Sequence, residues 1–340
     1  MSRSIDFAAL DATFGAVCSE KKGIVAKEIV GGLQSLKAGI TVETGIHDEQ
    51  EMVLPFSQDV LQPDSGNDWN PVKVVSFQPK KWKIRDAKVD AEILAKELNT
   101  KWLGYLYSSS RNPENLPFEL LVTDMMRKRA QKNLDTAFWK GVYDPSYVPT
   151  PGAANVLKIV DGFLKIRATA IANGDTLPMP IGAITAANAV SQFEKMFDFV
   201  EEEFKTNELI EYFVDPILAR YYYMNYRDRF NQSPFYRDLA ASRRVDAGNH
   251  DFIQEIPLEY AGGNTKIIPI RELAGTGAVF IDTNKMMTVG FSDTADTMNM
   301  WRKTDKRAVL LGMDMGFGVD VMAWKLGGKN YVLTLSLIHI

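Results

Sequence analysis

The amino-acid sequence predicts an α+β protein, and three patterns point to it. One long helix is written over residues 117–141, where Phe118, Val122, Met126, Ala130, Leu134 and Phe138 recur at every fourth position. β-prone runs collect in two places, around 52–77 and from 252 onward. Between them lies a compact strand–turn–helix unit, Tyr212-Phe213-Val214 followed by Asp215-Pro216. With 340 residues and 46% hydrophobic composition, the chain can bury a large core, arranged as one large domain or two to three smaller ones.

Residues 5 to about 30 space Ile5, Leu10, Phe14, Val17, Ile24, Val25 and Ile29 mostly three to five apart, which predicts weak amphipathic helices ended by Gly31-Gly32. Met52–Phe56 and Val72–Phe77 then flank the turn-forming Pro63-Asp64-Ser65-Gly66-Asn67-Asp68 and predict a long two-stranded hairpin. A lone hairpin is marginal in water, so an arm of this length implies cover from elsewhere, such as a neighbouring copy. A strand is expected at Trp82–Val89.

Pro117 and Glu119 suit the first turn of the long helix, Leu121 and Met125 join its apolar face, and Gly141 with Pro145 stops it. At 1.5 Å per residue it would run roughly 35 to 40 Å, a structural spine. The three prolines and one glycine of 143–155 mark a domain crossing. Beyond it a helix is expected over 156–173, with Val156, Ile159, Val160, Phe163 and Ile166 on one face and Gly174 as its stop. Another is expected over about 186–204, where Val190, Phe193, Phe197, Val200 and Phe204 form the buried face. Asp215 and Pro216 read as N-cap and first turn of a helix to about 229. Short strands are expected at Ile267–Ile270, Ala278–Ile281 and Met286–Val289, with Gly275-Thr276-Gly277 as a hairpin turn, and Phe317–Trp324 alternates as a strand.

The composition excludes several function classes. Lys and Arg number 39 against 43 Asp and Glu, a net charge of -4, so the basic excess of a nucleic-acid binder is missing. Cys18 is the single cysteine; the fold forms without an intramolecular disulfide, as suits a reducing cytoplasm. Asp6, Asp11 and Glu20 interrupt any signal-peptide core, and no stretch approaches the roughly 18 apolar residues of a membrane span. A soluble protein with no membrane partner is expected.

His47, His250 and His339 stand far apart without ligand spacing, and Gly327-Gly328-Lys329 is not a phosphate loop. Glu201-Glu202-Glu203 and the Asp293/Asp296 pair read as solvated acids. The sequence therefore predicts no catalytic residues, no metal, no cofactor and no enzyme. The one charge feature of interest is Arg127, Lys128, Arg129 and Lys132 on the long helix. Helical geometry spreads these four around the axis, which favours ion pairs, within or between subunits, over one shared ligand. Loose, sequence-independent contact with DNA is the alternative.

The order of these parts, an N-terminal arm, a long hairpin, a strand at Trp82–Val89, a spine helix, a proline-rich crossing, an α+β domain and a return strand, resembles the tailed, double-stranded DNA bacteriophage major capsid protein. That fold is shared with herpesvirus capsid floors and encapsulin shells. Asp161-Gly162-Phe163-Leu164, Phe213-Val214-Asp215-Pro216, Gly277-Ala278-Val279-Phe280-Ile281-Asp282 and Met286-Met287-Thr288-Val289 are similar to axial-domain segments of that family. Arg307–Trp324 is similar to its return strand.

The resemblance implies an N-terminal arm at 1–50, an E-loop hairpin at 51–82, a peripheral domain at 83–151 and 301–332, and an axial domain at 152–300. The tail 333–340 is set aside as a candidate non-native extension, because Leu335–Ile340 is unlike the family's ending. The resemblance also implies hexamers and pentamers that close an icosahedral shell around packaged double-stranded DNA, assembled in a host cytoplasm and ending in the virion. The expected partners are further copies of the chain, a portal protein, decoration proteins and a scaffolding protein. The scaffold is expected to be separate, since only 50 residues precede the hairpin. Phe56, Trp69, Val74, Phe77, Arg127 and Arg129 are the expected inter-subunit contacts, and Lys128 and Lys132 the loosely DNA-facing residues. Two other readings stand beside this one: an encapsulin-type compartment shell, and an α+β enzyme or ligand binder with a site between its domains.

Overall fold

A computed structural model describes residues 29, 31–46, 51–57, 75–94, 118–148, 155–207, 209–231, 256–258, 261, 265–292, 299–305 and 308–335. Its elements begin with α1 (Gln34–Lys37), β1 (Thr41–Thr44), β2 (Glu51–Ser57), β3 (Val75–Lys81), β4 (Arg85–Leu94) and the long α2 (Phe118–Lys140). Next come α3 (Phe163–Asn173), α4 (Ala189–Asp198), α5 (Glu202–Asn207), β5 (Ile210–Val214) and α6 (Pro216–Phe230). The remainder is β6 (Ile256–Pro257), β7 (Thr265–Pro269), β8 (Val279–Thr283), β9 (Met287–Phe291), β10 (Asn299–Asp305), β11 (Ala308–Val321), β12 (Lys325–Leu326), β13 (Lys329–Asn330) and β14 (Val332–Thr334). The helices expected before residue 29 lie outside the described residues.

The first sheet is organised by β11. Its first half is paired on both sides, by β10 and β4, and its second half pairs with β9, which in turn carries β1 in parallel. Alternation decides its faces: Met313, Met315, Phe317, Val319 and Val321 are buried and meet Leu134, Ala137 and Phe138 of α2. Phe138 stands edge-on to Phe317 with ring centroids 5.6 Å apart, and each such buried side chain stabilises the fold by about 1.5–3 kcal/mol.

The second sheet runs β14-β8-β5-β7-β6, with β5 and β7 parallel and the other neighbours antiparallel. Every residue of β5 and β8 is buried, because both faces are covered. Phe213, Ile268 and Phe280 belong to the core shared with α2 and α3, while Tyr212, Val214 and Ile281 face Phe193, Met196 and Tyr222 of α4 and α6. Trp139, near the end of α2, lies 5.0 Å from Phe163, 6.0 Å from Phe213 and 5.8 Å from Phe280 between ring centroids. One indole thus joins the spine helix, α3 and the second sheet. Asp215 caps α6 as its position predicts, accepting from the Ile217 N–H at 2.9 Å.

Several elements differ from the sequence expectation, each for a local reason. The helix expected over 156–173 is a 3₁₀ turn at Val156–Lys158 and a separate α3. Between them the chain crosses the end of α2, and Gly162 approaches it so closely that a Cβ would sit 2.7 Å from the carbonyls of Ala137 and Phe138. The helix expected over 186–204 divides into α4 and α5, with Glu202 and Glu203 in the first turn of α5, where a helix dipole favours carboxylates. Trp82–Ile84 is not strand; β4 starts at Arg85. Gly275-Thr276-Gly277 is not a hairpin turn, because β7 and β8 flank β5 and do not pair with each other. The left-handed Gly275 and Gly277 carry the chain past the end of β5, and the Gly277 N–H donates to Asp215 at 2.9 Å.

Two further differences concern boundaries and exposure. By sheet membership the chain changes layer at Asn284–Met286 and not at 300, since β9 pairs with β11. Val332–Thr334, placed partly in the tail by the sequence, is the edge strand β14 against β8, and Leu335 is buried beside it. Met125, expected on the buried face of the long helix, is 63% exposed, whereas Ala137, Phe138 and Trp139 are fully buried. The spine is therefore clasped at its C-terminal half.

Candidate assembly surfaces

The hairpin is built by β2 and β3 alone. They pair antiparallel from Glu51 opposite Lys81 to Ser57 opposite Val75, and among the described residues no third strand joins them. Opposed and alternate residues share a face, so Val53, Phe77 and Pro79 form one exposed apolar surface, with Val53 52% and Phe77 63% open. Leu54 faces the other way and packs on Ile46, Trp82, Ile84 and Met322. Phe56 stands opposite Ser76 in the ladder, while Trp69 and Val74 lie outside the described residues.

The base of this limb is held on the outer face of the first sheet, which glycines clear. A Cβ on Gly290 would lie 2.6 Å from the Trp82 ring, and one on Gly318 would lie 2.4 Å from the Lys83 carbonyl. Trp82 is completely buried there. Lys80 adds an ion pair to Asp320 at 3.0 Å. Burial pushes the Asp320 carboxyl up, and Lys80 opposes that shift.

The basic cluster on α2 divides as helical geometry predicts. Asp124 is 2.9 Å from Lys128 and also pairs with Arg127. Its hydrogen bond with Lys128, followed by the one with Arg127, holds the Asp124 carboxyl below the usual carboxylate range. Lys128, Arg129 and Lys132 are all exposed, Lys128 while paired with Asp124. The structure thus places Lys128 in an intrahelical pair with its side chain still exposed.

A cleft of about 350 Å³ opens where the hairpin base, the end of β11 and α3 meet. Its charged rim is Lys80, Lys81, Lys83, Arg85 and Lys165, together with Asp161, Asp175 and Asp320. Asp161 is occupied by the Tyr143 N–H at 3.0 Å, and the Arg85 guanidinium lies 4.6 Å over the Tyr143 ring. No sequence motif announced this convergence, because Lys83 and Lys165 are brought together only by tertiary packing.

Two buried carboxylates also escaped the sequence reading. Asp135 of α2 accepts from the Gln34 N–H at 3.0 Å, the Ser35 N–H at 3.1 Å and the Ser35 hydroxyl at 2.7 Å, so it caps α1 from outside. Asp282 accepts from the Met286 and Met287 N–H groups, both at 2.9 Å, where the chain leaves one sheet for the other. Burial raises the carboxyl of each, Asp282 to about 7. Cys18, His47, His250 and His339 lie outside the described residues. Among the described residues no three His, Cys, Asp or Glu side chains group to hold a metal, and no helix is long and apolar enough to cross a membrane.

No protein-family model matches the chain, and no curated protein matches it in sequence. Solved structures do. A chain of the satellite phage P4 procapsid is 11% identical, with 86% of this chain and 92% of that one covered at a TM-score of 0.50. A chain of the capsid of Myoviridae phage XM1 is 13% identical, with 90% and 92% covered at a TM-score of 0.51. Both similarities span nearly the full length. The α+β fold expected from the sequence resemblance is the one observed, the fold of phage capsid chains.

Proposed function

We propose that this chain, which shares its fold with phage capsid chains, is the major capsid protein of a tailed, double-stranded DNA bacteriophage. Copies join as hexamers and pentamers in a host cytoplasm and close an icosahedral shell around packaged DNA. The observation that carries this reading is the hairpin: a two-stranded limb fixed at its base by Trp82 and presenting Val53 and Phe77 to solvent. Such a limb leaves apolar and backbone surface that its own body does not cover, and a neighbouring copy would satisfy it. Assembly then multiplies weak contacts, since each subunit is held by several others at once.

Within this reading the E-loop is the hairpin, and Phe56, Trp69, Val74, Phe77, Arg127 and Arg129 contribute inter-subunit contacts. Lys128 and Lys132 face the packaged DNA loosely. By sheet membership the peripheral domain is the first sheet with α2, and the axial domain is the second sheet with α3 to α6. A separate scaffolding protein, a portal protein and decoration proteins complete the set of partners.

Negative-stain microscopy and size-exclusion chromatography of the expressed chain test the proposal, alone and with a scaffolding protein. Closed particles are expected. Persistent monomers of 38.1 kDa under both conditions would overturn it. Removing residues 58–74 is expected to leave the circular dichroism of the folded subunit in place and to abolish particles, because the limb's contacts lie with neighbours.

A further inference from the structure

The cleft where the hairpin base, the end of β11 and α3 meet holds more positive charge than its own carboxylates neutralise. Five cations face three carboxylates in it. Asp320 is taken up by Lys80 at 3.0 Å, and Asp161 accepts from the Tyr143 N–H at 3.0 Å. Lys81, Lys83 and Lys165 are exposed among its lining residues, with no carboxylate within ion-pair distance among the described residues. Like charges gathered in one concavity raise the local potential, and an anion that enters relieves their repulsion.

These lysines are carried by anchored elements. Trp82 is completely buried between Lys81 and Lys83, so both side chains leave from a fixed stretch of backbone. Lys165 belongs to α3, which Phe163 packs against Trp139. Charges held in place in this way need little ordering when a ligand arrives. The cavity between them measures about 350 Å³, at the lower end of the roughly 300–1,000 Å³ of small-molecule sites. Size and charge density together select the ligand. A peptide distributes its carboxylates along an extended chain, and a duplex presents its phosphates on a convex surface, so neither concentrates charge within such a volume. A triphosphate group does: it carries about four negative charges near neutral pH, and each lysine ammonium offers three N–H donors to its oxygens.

We propose that this cleft binds a triphosphate group, held by Lys81, Lys83 and Lys165 and supplied by free inorganic tripolyphosphate or by a nucleoside triphosphate. The site lies within one copy of the chain, so it does not rest on the shell reading. Bound there, the anion bridges the hairpin base to α3.

The test is isothermal titration calorimetry of the full-length chain with sodium tripolyphosphate in metal-free buffer. One saturable site per chain is expected, weakening about tenfold as ionic strength rises from about 0.05 to about 0.5 M, because screened charge pairs lose their attraction. K83Q/K165Q should weaken binding about tenfold with circular dichroism unchanged, whereas K128Q/K132Q, which removes two exposed lysines of α2, should leave it as it was. Asp175→Asn removes the lining carboxylate that has no ion pair among the described residues, and should tighten binding about threefold, an effect that a purely structural role of the lysines does not produce. ATP is the second ligand: affinity equal to that of tripolyphosphate assigns the site to the triphosphate group alone, and tighter binding assigns it to a nucleoside triphosphate. Heat without saturation, binding untouched by K83Q/K165Q, or equal losses in K83Q/K165Q and K128Q/K132Q would overturn the proposal. Displacement of tripolyphosphate by a short DNA duplex at equal phosphate concentration would also overturn it, since the surface would then read a nucleic-acid backbone. Particles formed by a chain that ignores tripolyphosphate would leave the shell reading standing and remove the site. Tripolyphosphate binding by a chain that never forms particles would do the reverse.

Discussion

Asp282 shows how much one buried carboxylate can set. Its side chain holds the N–H groups of Met286 and Met287 in the three-residue passage between the sheets, and its burial raises its pKa to about 7 from an ordinary 3.8. A carboxyl whose pKa is higher folded than unfolded stabilises the fold fully below about 4, and that contribution is lost as the pH rises towards 7. Asp282→Asn removes the ionisation and keeps one acceptor. The stability difference between variant and wild type, followed by urea titration from pH 4 to 8, should therefore grow in the variant's favour up to about pH 7 and then level off. A pH-independent difference would show that Asp282 is not the titrating group. Asp135→Ala is a different case. It leaves two backbone N–H groups and a buried hydroxyl without their acceptor, and should cost about 2–3 kcal/mol at neutral pH by the same titration. Neither residue was marked in the sequence: an Asp reads the same whether it solvates a surface or caps a helix a hundred residues away.

At the scale of elements, the hairpin and its seat behave as one unit. Gly318→Ala puts a methyl group 2.4 Å from the Lys83 carbonyl, so the strand or the Trp82–Ile84 segment must shift. A loss of about 1–3 kcal/mol is expected, with faster proteolytic cutting within 51–84; unchanged cutting would mean that the seat does not restrain the limb. This part of the fold was half legible. The β-prone runs on either side of Pro63–Asp68 announced two paired strands, and period four announced α2 almost to the residue, at Phe118–Lys140 against 117–141. The breaks at Gly162 and Phe199 were not legible, because apolar spacing continued through them. Met125 was misplaced for a related reason: periodicity identifies a face but not how much of its length another element covers. Lys83 and Lys165 stayed hidden because their meeting depends on how the hairpin, the first sheet and α3 are stacked.

For the whole molecule, the proposed assembly would be linked to stability. Subunits held in particles should melt at a higher temperature than the same subunits free in solution, and calorimetry on both forms reads the difference directly. Equal melting temperatures would mean that neighbours add nothing to the fold. Within a subunit, Trp139 bridges α2, α3 and the second sheet, while Phe138 beside it meets the first. The two layers therefore share one cooperative unit and have no separable waist. A denaturant series followed by hydrogen exchange should open both sheets together, as a single foldon, with α1 and the limb fraying earlier. In a shell of the proposed kind, a core shared between both sheets through Phe138 and Trp139 would leave any change of curvature between neighbouring copies to the edges of each subunit.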